Sequence, residues 1–135
     1  MFSHITVGCT NMQRATAFYD AVLLPLGLQR RVVVPDGGPA AACWNAAGNT
    51  LPRFYVYMPF DGKPATSANG AMTAFLASSE EAVDAAYAAG IENQGHCEGP
   101  PGLRPNYGEG YYGAYVRDPD GNKLHFVFRG DLKQK

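Results

Sequence analysis

The same order of local signals runs along this chain twice, and that repetition limits the possible folds more than any single motif. "FSHITVG" (2–8) alternates and is rich in β-branched residues, so it reads as a strand. Asn11 is a candidate N-cap for a helix over "MQRATAFYDAVLLPL", where Ala15, Phe18, Tyr19 and Val22 share one apolar stripe. Pro25 and Gly27 end that helix. Strands are then expected at "LQRRVVV" (28–34), "AAACWNA" (40–46) and "RFYVYMP" (53–59), with a "PDGG" turn (35–38) after the first. The second pass starts at "AMTAFLA" (71–77), a further strand. Ser78 or Ser79 caps a helix over "EEAVDAAYAAG", whose first-turn Glu80 and Glu81 suit the helix dipole. "YYGAYVRDPDGNKLHFVF" (111–128) closes the chain as a hairpin turning at "DPDGN". A displacement of about 68 positions sets Asn11 on Ser79, Ala15 on Val83, Tyr19 on Tyr87 and His4 on Met72. The last strands match as well, with Tyr55 against His125.

At 135 residues the chain suits one domain (1–135) with one shared core. Its expected parts are a first module over about 1–60, a linker "DGKPATSANG" (61–70) and a second module over about 71–130. A formal net charge of −1 and the lack of a basic run offer nothing to nucleic acid or an anionic membrane. The N-terminal stretch lacks the basic region of an export signal. Three cysteines with no C-x-x-C pair argue against a disulfide framework and for a reducing, cytoplasmic setting. Cys9 and Cys43 read as small core residues. "EGPPGLRPNYGEG" (98–110), with three prolines and four glycines, is expected to be a long irregular loop at a pocket edge.

The layout resembles the vicinal oxygen chelate superfamily, also called the glyoxalase/bleomycin resistance/dioxygenase fold. The residues carrying the resemblance are "HITV…AFYDAVLLPLGL" and "GAYVRDPDGNKLHFV". It implies an α+β protein of two βαβββ modules, which form a cup-shaped curved mixed sheet with helices on the outer face. It also implies a homodimer and a ligand site inside the cup. In metal-dependent members the ligands come from the first and last strand of each module. Mapped here, those positions are His4, Tyr55, Met72 and His125. A divalent zinc, nickel, iron or manganese ion prefers imidazole and carboxylate donors. This chain offers two imidazoles, one phenol and one thioether, with no Asp or Glu in either "RFYVYMP" or "KLHFVF".

Two readings of the histidines therefore stand side by side. In one, His4 and His125 hold a weak divalent metal for a lyase or isomerase reaction, as in a glyoxalase-like or dioxygenase-like enzyme. In the other, no cofactor is used; the histidines are hydrogen-bonded residues lining a cup that binds or sequesters a small molecule. Tyr55, Tyr57, Met72, Arg104, Tyr107 and Tyr111 are the candidate ligand contacts, since aromatic rings beside an arginine suit a small organic molecule bearing a carboxylate or another polar group. Glu109 is the carboxylate near the expected rim and the candidate general base. His96 has no evident partner. Asp118, Asp120 and Gly121 read as turn residues.

Overall fold

A computed structural model describes residues 1–132. The asparagine and serine caps lie where the repeat sets them. The Asn11 side chain accepts from the Arg14 amide to start α1 (Met12–Leu23), and the Ser79 hydroxyl accepts from the Ala82 amide to start α2 (Glu80–Glu92). Each such cap satisfies a backbone donor that the helix itself cannot. Around them run β1 (His4–Gly8), β2 (Leu28–Arg31), β3 (Ala41–Ala46), β4 (Arg53–Tyr57), β5 (Thr73–Leu76), β6 (His96–Leu103), β7 (Tyr111–Arg117) and β8 (Lys123–Arg129).

The strands form two four-stranded mixed sheets, ordered β1-β4-β3-β2 and β5-β8-β7-β6. Among the described residues the only parallel pairs are β1 with β4 and β5 with β8, each spanned by its module's helix and intervening strands. The halves are thus two βαβββ modules of equal topology, the α+β architecture expected from the resemblance. Register repeats too. Thr6 stands beside Tyr55, and Ala74 stands beside His125.

One core serves both modules. Alternation turns Trp44, Phe54 and Val56 of the first sheet and Phe75, Leu124 and Phe126 of the second toward the helices. Tyr19 of α1 packs on Trp44 and Phe54; Phe54 meets Phe75 at 5.1 Å, and Phe75 meets Phe126 at 6.3 Å. That row of rings crosses from one half to the other. Cys9 and Cys43 are buried in it or beside it, and burial raises the Cys9 thiol to about 11.

The turn between β7 and β8 adds a polar link. Buried Asp118 accepts from the Tyr19 hydroxyl, the Asn122 amide and the backbone amides of Asp120 and Asn122. Asn122 also donates to the Gly8 carbonyl, and Asp120 accepts from Thr10 and Arg14. Turn chemistry alone accounts for Gly121, whose φ is +89°. The other polar residues of the turn do more: Asp118 and Asp120 join the second module to α1 and Thr10, and Asn122 joins it to β1.

Two expectations need correction. The strand expected over 28–34 stops at Arg31, opposite Cys43, and Val32 and Val34 are exposed. β2 is a sheet edge, and its pairing with β3 ends before those valines. The segment 98–110 is not one irregular loop either. Residues 98–103 belong to β6, and only 104–110 form the hairpin loop. Pro100 and Pro101 fit because β6 is an edge strand. Its register with β7 slips between Cys97 and Gly99 and again between Gly99 and Gly102. Both prolines fall in the second bulge, where no ladder amide is required. His96, exposed, pairs in β6 with Arg117. No described helix is long and apolar enough to cross a membrane.

Candidate functional site

In β7 and β8 the side chains that point away from the helices follow from period-two alternation: Tyr111, Gly113 and Tyr115 on one strand, Lys123, His125 and Val127 on the other. Tyr115 stands directly opposite His125, and their rings stack at 4.1 Å with 12° between planes. The Tyr111 ring lies nearly parallel to the imidazole, 5.8 Å away. Gly113 sits beneath, and a Cβ there would come within 2.5 Å of His125 Cε1. Only glycine lets the imidazole lie flat on this strand.

His125 is 2% exposed, and both ring nitrogens are engaged. Nδ1 lies 2.9 Å from the Ala114 carbonyl oxygen, and Nε2 lies 2.7 Å from the Tyr111 hydroxyl. A carbonyl only accepts, so Nδ1 carries the hydrogen. In the neutral ring Nε2 must then accept, and Tyr111 donates. Burial holds the His125 pKa below its ordinary value, with Arg104 and Lys123 adding to the effect, so the neutral form is favoured.

Cations cover the outer faces of these tyrosines. The Arg104 guanidinium and the Lys123 ammonium lie 5.8 and 5.2 Å from the centre of Tyr115, and Arg129 lies 5.1 Å from Tyr111. Burial and the neighbouring phenols Tyr111 and Tyr107 raise the Tyr115 pKa. Tyr107 packs on Tyr111 at 5.3 Å. Beside this cluster is a groove of about 670 Å³ lined by Met72, Glu98, Leu103, Arg104, Pro105, Asn106, Tyr107, Tyr115 and Lys123.

The remaining candidates form a second group on the first sheet. His4 is exposed, its Nδ1 3.0 Å from the Ser3 hydroxyl, and its ring meets Tyr55 edge-on at 5.5 Å. Tyr55 in turn packs on Tyr57 and receives a hydrogen bond from Arg53. Among the described residues no hydrogen bond or ring contact joins His4 to His125. Glu109 is exposed in the loop between β6 and β7.

A divalent metal, as many proteins of this fold use, would need His125 Nε2 as a donor. That lone pair already accepts from Tyr111, Met72 brings a thioether, and no carboxylate stands on β4 or β8. Among the described residues no three His, Cys, Asp or Glu side chains converge on one point. The donor set present does not fit such an ion. Sequence reasoning passed over Tyr115, Gly113 and Lys123. The signal was available, because alternation from Tyr111 and His125 puts all three on the same face.

Two βαβββ modules, each with a four-stranded mixed sheet, are the architecture of the glyoxalase-fold class of proteins. The model of the Glyoxalase/Bleomycin resistance protein/Dioxygenase superfamily matches residues 1–126, so the chain belongs to that superfamily. A glyoxalase/bleomycin resistance protein from Albidiferax ferrireducens T118 is 39% identical over 96% of this chain and 98% of its own, with a TM-score of 0.82. A glyoxalase-related enzyme from Fulvimarina pelagi is 18% identical over 98% of this chain and 95% of its own, TM-score 0.69. A lactoylglutathione lyase from Agrobacterium tumefaciens is 19% identical over 96% of this chain and 93% of its own, TM-score 0.63. The last two show likeness of fold alone. Comparison with curated proteins gives no match.

Proposed function

We propose that this protein binds a small organic molecule against the β7–β8 face of its second module and does so without a metal ion. The observation that supports the reading is the state of His125. Its two nitrogens are spent on Ala114 and Tyr111, so it serves as a fixed part of an aromatic wall. Arg104, Tyr107 and Met72 line the groove and are proposed as ligand contacts, with Tyr111 packed against Tyr107 beside them. Tyr55 and Tyr57 offer a second aromatic surface on the first sheet. His4 serves there as a ring against Tyr55, and Glu109 is given no role.

The working form is proposed to be a homodimer. β1 and β5 are both sheet edges, and Phe2, Ile5 and Leu76 are exposed along them. Unpaired edges of that kind are normally covered. The free thiols of Cys9, Cys43 and Cys97 suit a cytoplasmic setting.

A thermal-shift screen of small organic molecules on chelator-treated protein tests the reading. Ligands that bind only the folded state raise the melting temperature. Hits are expected without added metal and should shift the NMR signals of Tyr115 and His125. Hits that appear only after adding zinc, nickel, iron or manganese would instead favour a metal-dependent lyase or dioxygenase reaction.

A further inference from the structure

We infer that the groove between Met72 and the β6–β7 hairpin is an anion subsite for a planar organic carboxylate, with Arg104 and Lys123 receiving the charge. This rests on the small-molecule reading above and gives it a ligand class.

The bulged β6 strand builds a seat for Arg104. Gly99 and Gly102 leave the strand bare, and the guanidinium lies across it. A Cβ at Gly102 would stand 3.1 Å from Nη1, and one at Gly99 would stand 3.4 Å from Nη2. Nη2 donates to the Pro100 carbonyl at 2.8 Å, and Nη1 reaches the Leu103 carbonyl at 3.5 Å. Both acceptors are neutral. The side chain is therefore oriented while its charge stays unbalanced.

Lys123 approaches the same ring from β8. Among the described residues the ion pairs are Arg14–Asp120, Arg30–Asp20, Arg117–Glu98 and Arg129–Asp131. Neither Arg104 nor Lys123 takes part. Glu98 is the carboxylate lining the groove, and its 2.8 Å bond to Arg117 engages it. Two cations outside these ion pairs thus stand within 6 Å of the centre of one tyrosine ring, and Lys123 also lies near enough to Glu98 to help Arg117 hold its pKa down.

The walls indicate what carries the negative charge. Leu103 is 60% exposed, Tyr107 62% and Met72 47%, so apolar surface is left uncovered around the cations. A flat unsaturated body covers such a surface, and a carboxylate presents two oxygens to the guanidinium fork. The Asn106 amide, on the same rim, can bond a further polar substituent.

Benzoate and benzamide separate charge from shape. Titrated into isotopically labelled protein at low salt, benzoate should shift the Gly102, Tyr115 and Lys123 amide signals. Benzamide, and benzoate with either Arg104→Gln or Lys123→Gln, should bind roughly tenfold more weakly, the loss expected for one charge-assisted hydrogen bond. Amide spectra of the variants verify that they fold. Equal binding of the two probes would overturn the inference, as would full benzoate affinity in both variants. Benzoate shifts confined to Tyr55 and Tyr57 would overturn this subsite but leave small-molecule binding intact. No shift with probe at up to about 10 mM, a level that reveals even millimolar affinity, would also overturn it. The thermal-shift screen would then decide the broader reading independently.

Discussion

Tyr55 and His125 occupy the same place in their modules, yet their surroundings have little in common. Each lies in its module's last strand, beside the first strand and opposite the third. Tyr55 faces Cys43 across the ladder and stays half-buried, its hydroxyl touched by Arg53. His125 faces Tyr115, is buried, and has no free nitrogen. The next equivalent pair differs in the same sense, with Ala41 opposite Tyr57 in the first sheet and Gly113 opposite Val127 in the second. The repeat therefore reproduces backbone position but not chemistry. What stands across the strand decides whether a polar ring is a surface contact or part of a packed wall.

The largest test of this asymmetry lies in the turn that ties the modules together. Asp118→Ala leaves the Tyr19 hydroxyl and two backbone amides without their acceptor. It should cost about 3 kcal/mol or more, since each buried donor left alone costs 1–3 kcal/mol. Asp36→Ala, in an exposed turn of the first module, should cost less than about 0.5 kcal/mol. Urea unfolding of both variants measures the difference.

Next in size is the floor under the imidazole. Gly113→Ala forces His125 or the strand to move and should destabilise by about 1–3 kcal/mol, the usual range for overpacking. Ala41→Gly, at the matching position, should cost no more than about 1 kcal/mol. Similar losses at both sites would mean that the two sheet faces are packed alike.

The pH dependence gives a smaller effect with a definite sign. The folded-state pKa of His125 is held below its unfolded value of 6.5, so the unfolded chain takes up that proton first. Stability from this group is present above 6.5 and is lost as pH falls from there through the folded pKa. His125→Gln should remove that part of the acid-side slope, whereas Tyr55→Phe should leave it unchanged. Buried Asp118, with its raised pKa, works in the opposite direction at lower pH, so the comparison between variants is the informative quantity. Chelator should have the smallest effect, with no measurable change in melting temperature. A clear drop would show a bound ion coupled to folding.

Much of this organisation could be read in the linear chain. The two caps, the turn at Gly121 and the apolar stripe of Ala15, Phe18, Tyr19 and Val22 depend on residues a few positions apart, so local hydrogen bonding and periodicity determined them. The family pattern and the matching of Tyr55 with His125 are of the same kind, because strand order repeats whatever the side chains later meet. Tertiary structure decided the rest. Whether 98–103 could be a strand depended on its lying at a sheet edge, where bulges excuse two prolines. That Asp118 would bond Tyr19, 99 positions away, and Asn122 the Gly8 carbonyl, 114 away, follows only once the modules share a core. The surroundings of His125 arise in the same way. A histidine among apolar residues is compatible with a metal ligand or a packed ring, and the choice falls to its acceptor and donor. Those are the Ala114 carbonyl and the Tyr111 hydroxyl, both brought into place by the pairing of β7 with β8.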